Sequence, residues 1–232
     1  MYLKQYGESI SSWKIQKIIE KANLYPDRLK ALKQRRKQVQ ARSHQKQRIT
    51  KLVKEHKVNY LWHVDTIVLT LSSGGYRYLV TAIDEVSKLA YARVYTTQTS
   101  RNAKDFLERL NYLTNQRMIN LHHDNGSEFQ KEFEEACRAL NIPQWYSRPH
   151  TPKDNSVLER FNRTIQEEFV DAKDVDPLFV AEFNQSLLEW LIEYNSIRPH
   201  QTLDYKTPLE YLDHYYLTHP QVLPMYSSHT NY

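Results

Sequence analysis

Three acidic side chains occupy positions where a carboxylate calls for an explanation. Asp65 lies inside the alternating run Leu61-Trp62-His63-Val64-Asp65-Thr66-Ile67-Val68-Leu69, on the face shared with Leu61, Ile67 and Leu69, where a lone charge is costly. Asp124 closes His122-His123-Asp124, and Gly126 two residues later is expected to permit a sharp turn into a helix. Glu159 falls in the first turns of a helix expected to start near Ser156. Taken singly, such acids more often cap a helix or face water. Brought together from a strand, the end of a neighbouring strand and the start of a covering helix, they repel one another. A site of that kind needs a hard divalent cation, Mg²⁺ or Mn²⁺. Asp84, Glu85, Glu128 and Asp154 are the nearby rivals. Asp84 reads as a turn acid, Glu128 as a helix-start acid favoured by the dipole and Asp154 as a turn residue beside Asn155, each structural or supporting.

The elements that must position these acids follow from periodicity. From Tyr60 the apolar pattern has a period of two, and two further strands follow, Tyr76–Ile83 and Leu89–Thr97, separated by Ser72-Ser73-Gly74-Gly75 and Asp84–Lys88. An antiparallel meander is expected. A helix then spans Arg101–Leu113, a strand Met118–His122, a helix Glu128–Leu140 and a fifth strand Gln144–Ser147. After a loop at Arg148–Asn155, Leu158, Phe161, Ile165 and Phe169 form the stripe of a long helix, and Pro177–Asn195 carries another. This order predicts an α/β fold with a mixed five-stranded sheet flanked by helices on both faces.

The 232 residues carry a net charge of +5, but the charge is unevenly placed: residues 1–57 hold 16 of the 32 Lys/Arg and four of the 27 Asp/Glu. Arg28–Lys57 contains twelve basic residues and one acid, Glu55, with almost no acidic partners at helical spacing. Such an arm, read as one or two helices without a strong apolar face, attracts a polyanion. Before it, Ile15, Ile18, Ile19 and Ala22 mark a short amphipathic helix over Ser12–Ala22. The single cysteine, Cys137, excludes an internal disulfide and reads as a small buried hydrophobe. No run approaches a membrane span and Met1–Ser12 lacks a signal-peptide core, so a soluble, cytoplasmic protein is expected.

Three blocks together resemble the integrase catalytic core of bacterial insertion-sequence transposases related to retroviral integrases. They are Trp62-His63-Val64-Asp65-Thr66, His122-His123-Asp124-Asn125-Gly126-Ser127-Glu128-Phe129, and Asp154 through Thr164 with Glu159 at its centre. Tyr194-Asn195-Ser196-Ile197-Arg198-Pro199-His200-Gln201-Thr202-Leu203 and Thr207-Pro208-Leu209-Glu210-Tyr211 are similar to that family's closing segment. The resemblance implies an RNase H-like fold and a catalytic, metal-binding triad of Asp65, Asp124 and Glu159. It also implies two Mg²⁺ (or Mn²⁺) ions that cut an element's end and join the freed 3′-hydroxyl to target DNA. The spacing from Asp124 to Glu159 is one residue shorter than is usual there. DNA contacts are expected from Arg35, Arg36, Lys37 and Arg42 in the arm and from Asn155, Arg160, Asn162 and Arg163 beside the triad. Helical spacing equally allows Arg163 an ion pair with Glu159 or Glu167. The implied organisation is a partial helix-turn-helix remnant over 1–25, a basic helical linker over 26–57, the catalytic domain with a C-terminal helical extension over 58–214, and a tail over 215–232. Tyr2–Tyr6, Gly7-Glu8-Ser9-Ile10 and the helix after them resemble the end of a second helix, the turn and the recognition helix of that unit. An N-terminally shortened transposase, or one reading frame of a longer element, is therefore expected, acting on element ends and target DNA as a nucleoid-associated homo-oligomer. A catalytically silent DNA-binding fragment and a nuclease that only hydrolyses are the alternatives.

Overall fold

The structure, a computed structural model, describes residues 11–22, 33, 34, 37, 46–148, 151–172 and 175–220. The chain divides into two units, 1–46 and 47–232. In the first, helix α1 (Ser12–Lys21) forms as expected, and Ile15 and Ile18 on its apolar side are exposed. Lys17 packs its ammonium over the Trp13 ring, 4.3 Å from the centroid, one helical turn away. Lys37 is exposed, whereas Arg35, Arg36, Arg42 and the stretch Tyr2–Ile10 lie outside the described residues.

The second unit is built on five strands: β1 (Leu61–Thr70), β2 (Tyr76–Asp84), β3 (Ala90–Tyr95), β4 (Asn120–His123) and β5 (Gln144–Tyr146). Their order across the sheet is β3-β2-β1-β4-β5. The meander is antiparallel, and β4 and β5 add in parallel, with Leu61 opposite Asn120 and His63 opposite His122. Gly74 and Gly75, at φ +87° and +97°, make the β1–β2 turn, a conformation other residues adopt only with strain.

The period-two pattern sorts the two faces. Trp62, Val64, Val80 and Ala82 pack beneath helices α2 (Ser100–Leu113) and α3 (Glu132–Ala139), with Phe106, Leu107, Leu110 and Phe133. Leu69, Leu79, Ile83 and Val94 pack beneath α4 (Ser156–Ile165) and α5 (Val180–Ser196), with Leu158, Phe161, Ile165, Phe183 and Trp190. Burying each such side chain contributes roughly 1.5–3 kcal/mol. Asp65 thus faces α4, as its alternation with Ile67 and Leu69 requires. A last helix, α6 (Pro208–Thr218), starts on a capping box formed by Thr207 and Glu210.

Three local expectations change. The helix expected over 128–140 is a 3₁₀ turn, Ser127–Phe129, followed by α3, with Lys131 at φ +50° between them. The long helix from Ser156 runs as α-helix only to Ile165 and continues as a π turn, Gln166–Val170, which still turns Phe169 into the core. The end of the expected linker belongs to the second unit. Ile49 is buried with Tyr60 and Leu61, Arg48 bridges to Tyr146, and its guanidinium donates to the Ser147 carbonyl at 2.8 Å. Apolar Ile49 and Leu52 interrupt the basic run there, so covering the sheet edge outweighs solvation.

Candidate active site

Asp65 sits at mid-strand in β1, and its two oxygens are held from different elements. The Thr66 backbone N–H donates to Oδ1 at 2.8 Å, and Asn162 Nδ2 donates to Oδ2 from α4 at 3.2 Å. The Thr81 hydroxyl on β2 donates to Asn162 Oδ1 at 2.7 Å, which fixes the amide's orientation. Burial pushes the Asp65 carboxyl up to about 6, and the charges of Asp124 and Glu128 push the same way, against the two hydrogen bonds.

Asp124 follows the last residue of β4 and is exposed, with Oδ1 accepting from the Gly126 backbone N–H at 2.7 Å. Glu159, in the first turn of α4, is exposed and lines a depression with Asn162 and Arg163. The sheet therefore brings Asp65 and Asp124 together, and Asn162 ties the helix that carries Glu159 to Asp65. Among the described residues no three carboxylate, imidazole or thiolate groups form a ready-made metal cage.

Of the rivals, Asp84 is fully buried and occupied by the turn, accepting from the Asn59 N–H at 3.0 Å and from both the N–H and hydroxyl of Ser87 at 2.7 Å. Asp154 accepts two guanidinium N–H groups of Arg148, at 2.8 and 3.0 Å, which hold its carboxyl below the usual range. Glu128 is different. It is 5% exposed, Gln98 Nε2 donates to its Oε1 at 2.6 Å, and its Oε2 is buried without a partner while its charge acts on Asp65. It is an acid of the site, not only a helix-start residue. Gly126 follows from it: with φ −52° and ψ 146° the backbone needs no glycine, but a Cβ there would lie 2.6 Å from Glu128 Oε2. The expectation that Gly126 serves a sharp turn is corrected accordingly.

Asn162, expected at DNA phosphates, is 8% exposed and turned inward, its amide engaged by Asp65 and Thr81. Arg160 and Arg163 are exposed, and the ion pair allowed to Arg163 is absent among the described residues. Beneath the two aspartates lies a buried histidine pair. His63 Nδ1 and His122 Nδ1 are 2.8 Å apart, His122 Nε2 meets Ser147 Oγ at 3.0 Å, and His63 Nε2 is buried with no hydrogen-bond partner. Burial pushes both imidazoles down, to about 4 and about 3, so both are neutral at pH 7. The signal for this pair was in the sequence: a histidine two residues before each aspartate shares its face on a strand, and His63 registers with His122. Cys137 is buried, its thiol pushed up to about 12, and inert as expected.

Comparison with known proteins adds the following. Residues 55–152 and 140–208 match the family described as Integrase core domain. Over 101 residues the chain is 37% identical to the Retrovirus-related Pol polyprotein from transposon TNT 1-94 of Nicotiana tabacum, covering 41% of this chain and 8% of that protein. Over 93 residues it is 28% identical to the Transposase for insertion sequence element IS904 of Lactococcus lactis, covering 39% of this chain and 36% of that protein. These matches span well under two thirds of either relative's length. Among solved structures, the catalytic core domain of BIV integrase gives a TM-score of 0.52 at 22% identity, over 69% of this chain and 99% of that one. The HTLV-2 integrase catalytic core domain in complex with magnesium gives 0.53 at 17% identity, over 66% and 95%. The fold is that of retroviral integrase catalytic cores, RNase H-like, with the mixed five-stranded sheet expected from sequence. Among the described residues no helix is long and apolar enough to cross a membrane.

Proposed function

We propose, from the matches of residues 55–152 and 140–208 to the models described as Integrase core domain, that the protein is a polynucleotidyl transferase that cuts DNA at the ends of a mobile element and joins them to target DNA. The observation that carries this reading is that the charges of Asp124 and Glu128 both bear on the largely buried Asp65, while Glu128 Oε2 is itself buried without a partner. An all-oxygen donor set with excess negative charge fits hard divalent cations, Mg²⁺ or Mn²⁺. Asp65, Asp124 and Glu159 are the residues that would hold them. When bound, two such ions supply an activated water or 3′-hydroxyl and stabilise the charge that builds on the attacked phosphorus centre.

The chain's own residues do the positioning. Asn162 aims one Asp65 oxygen and ties α4 to β1, so that Glu159 is carried on a helix already fastened to the strand of its partner acid. Thr81 holds Asn162, and the histidine pair joins β1 to β4 one layer below. No side chain is required as a covalent nucleophile. The partners in this reading are element ends and target DNA, bound by several copies of the chain, since two ends have to be held together for concerted joining.

The test is cleavage and strand transfer on a labelled plasmid with Mg²⁺ or Mn²⁺. Asp65→Asn, Asp124→Asn and Glu159→Gln should each abolish both while the fold is retained. Asp84→Asn should lower the melting temperature but leave activity per folded molecule. Cleavage without joined products assigns a hydrolytic nuclease, and metal-independent binding without cleavage a silent fragment. Near wild-type cleavage in any triad variant overturns the assignment of that acid.

A further inference from the structure

Glu128 stands in the 3₁₀ turn that follows β4, is buried, and takes part in none of the ion pairs among the described residues. Its carboxylate has a fixed direction. Oε1 accepts from Gln98 Nε2 at 2.6 Å, and Oε2 is buried with no hydrogen-bond partner. Gln98 lies between Thr97 and Thr99 at the start of α2, and Asn102 holds both of those neighbours. The Asn102 Nδ2 donates to the Thr97 carbonyl and hydroxyl at 2.8 and 3.0 Å, and its backbone N–H donates to the Thr99 hydroxyl at 3.3 Å. The Glu128 carboxylate also rests on Gly126, where a Cβ would lie 2.6–2.9 Å from its carbon and both oxygens. The N–H of that same glycine donates to Asp124 Oδ1 at 2.7 Å. One residue therefore touches both acids, and the charge of Glu128 also bears on Asp65.

A buried carboxylate with no ion pair, and with one oxygen that no donor meets, lacks its counter-charge. The structural acids nearby show the contrast: Asp84 accepts from three donors of its turn, and Asp154 from the Arg148 guanidinium. We propose that Glu128 is a further ligand of the divalent cation held at Asp65 and Asp124, and that Gln98 is the positioning residue that aims it. Gln98 occupies Oε1 and keeps the carboxylate from turning, so Oε2 is the oxygen left for the ion. Mg²⁺ and Mn²⁺ are hard cations that take oxygen ligands, and a further carboxylate replaces one water of the shell. Asp65, Asp124 and Glu128 come from β1, the end of β4 and the turn after it, so this binding draws on a part of the fold that does not include α4. The inference rests on the reading of Asp65 and Asp124 as a divalent-ion centre, but its test needs neither DNA nor catalysis.

Mn²⁺ binding to the full chain is measured by electron paramagnetic resonance of the free ion, and melting is followed with Mn²⁺ and in EDTA. Glu128→Gln keeps the shape and should weaken binding by about 10–100-fold. It should also remove most of the rise in melting temperature that Mn²⁺ gives the wild type. Gln98→Ala should weaken binding several-fold on its own but add nothing in the Glu128→Gln background, because its effect passes through that carboxylate. Glu135→Gln, at an exposed acid on α3, should change neither quantity. Phe129→Leu loosens the same turn without touching a donor oxygen, and should lower the melting temperature in EDTA while leaving Mn²⁺ affinity unchanged. Wild-type Mn²⁺ affinity in Glu128→Gln overturns the proposal, as does an equal loss in Phe129→Leu, which would make the acid act through the turn alone. Should Glu128→Gln fail to fold, Glu128→Asp, which keeps the charge but withdraws it by one methylene, decides by the same loss. Weakened binding in Asp65→Asn with none in Glu128→Gln overturns this assignment and leaves the centre standing. Absence of cleavage and joining by the wild type, with the Mn²⁺ pattern intact, overturns the strand-transfer reading and leaves this one standing.

Discussion

Asn162 Nδ2 donates to Asp65 Oδ2 at 3.2 Å across the gap between α4 and β1, three residues along the helix from Glu159. The amide has no freedom to turn, since its oxygen accepts from Thr81 at 2.7 Å. Asn162→Ala leaves a buried hydroxyl and a half-buried carboxylate each short of a partner, and should cost about 1–3 kcal/mol by denaturant unfolding. Asn162→Asp keeps the size but sets a fourth acid against Asp65. It should be the less stable of the two at pH 7 without metal, and should recover more on adding Mn²⁺. Equal stability of the two variants in EDTA would show that Asn162 does not face an ionised Asp65.

The raised pKa of Asp65 has a defined sign in stability. Its folded value, about 6, lies above the ordinary 3.8, so its contribution is full below about pH 4 and is lost as pH rises through 6. At pH 7 in EDTA the ionised group opposes folding by up to about 3 kcal/mol. Asp65→Asn removes that charge but has one acceptor oxygen where two donors converge, so the net gain should be about 1–2 kcal/mol. Melting curves should therefore place Asp65→Asn above wild type at pH 7, with the advantage gone by pH 4. A variant less stable than wild type at pH 7 in EDTA contradicts the raised value.

Much of this centre was legible in the sequence, and the exceptions have physical reasons. The alternation from Leu61 to Leu69 placed Asp65 on a buried face, and that face is the one α4 covers. Glu128 reads as a helix-start acid because its neighbours have helical spacing. In the fold Glu128 turns to Asp65 while Phe129 enters the apolar layer under α2 and α3, and the chain restarts as α3 only at Glu132. Tertiary demand on two adjacent side chains overrides the local pattern, and a single sequence does not display it. Lys88, Arg160 and His200 are likewise distant in sequence and meet only once the β2–β3 turn, α4 and the segment after α5 pack together.

The buried histidine pair links β1 to β4: one ring's Nδ1–H donates to the other's Nδ1 across 2.8 Å, and His122 Nε2 and the Ser147 hydroxyl are hydrogen-bonded at 3.0 Å. β1 and β4 pair over only three residues, ending at this layer. His122→Phe fills the space but leaves Ser147 and His63 without partners, and should cost about 2–4 kcal/mol in urea unfolding. It should also weaken Mn²⁺ binding by calorimetry, because Asp124 lies two residues on. A neutral substitution would show that backbone pairing alone holds the two aspartates in place.

Gly126 and Glu128 should behave as a coupled pair. A Cβ at 126 meets the Glu128 carboxylate at 2.6–2.9 Å, and that carboxylate cannot swing away freely because Gln98 holds its Oε1. Gly126→Ala is compatible with the backbone, so its effect should act through Glu128 rather than through strain. The single change should cost about 1–2 kcal/mol and weaken Mn²⁺ binding, both from a displaced buried acid. Glu128→Ala removes the obstacle, relieves the repulsion on Asp65 and should raise stability in EDTA while also weakening Mn²⁺ binding. In the Glu128→Ala background, Gly126→Ala should then be nearly neutral in both measurements, giving a coupling of about 1 kcal/mol in a double-mutant cycle. Additive effects would mean that Gly126 serves the backbone after all. Unchanged Mn²⁺ affinity in Glu128→Ala would return that acid to the helix-start role its sequence context suggests.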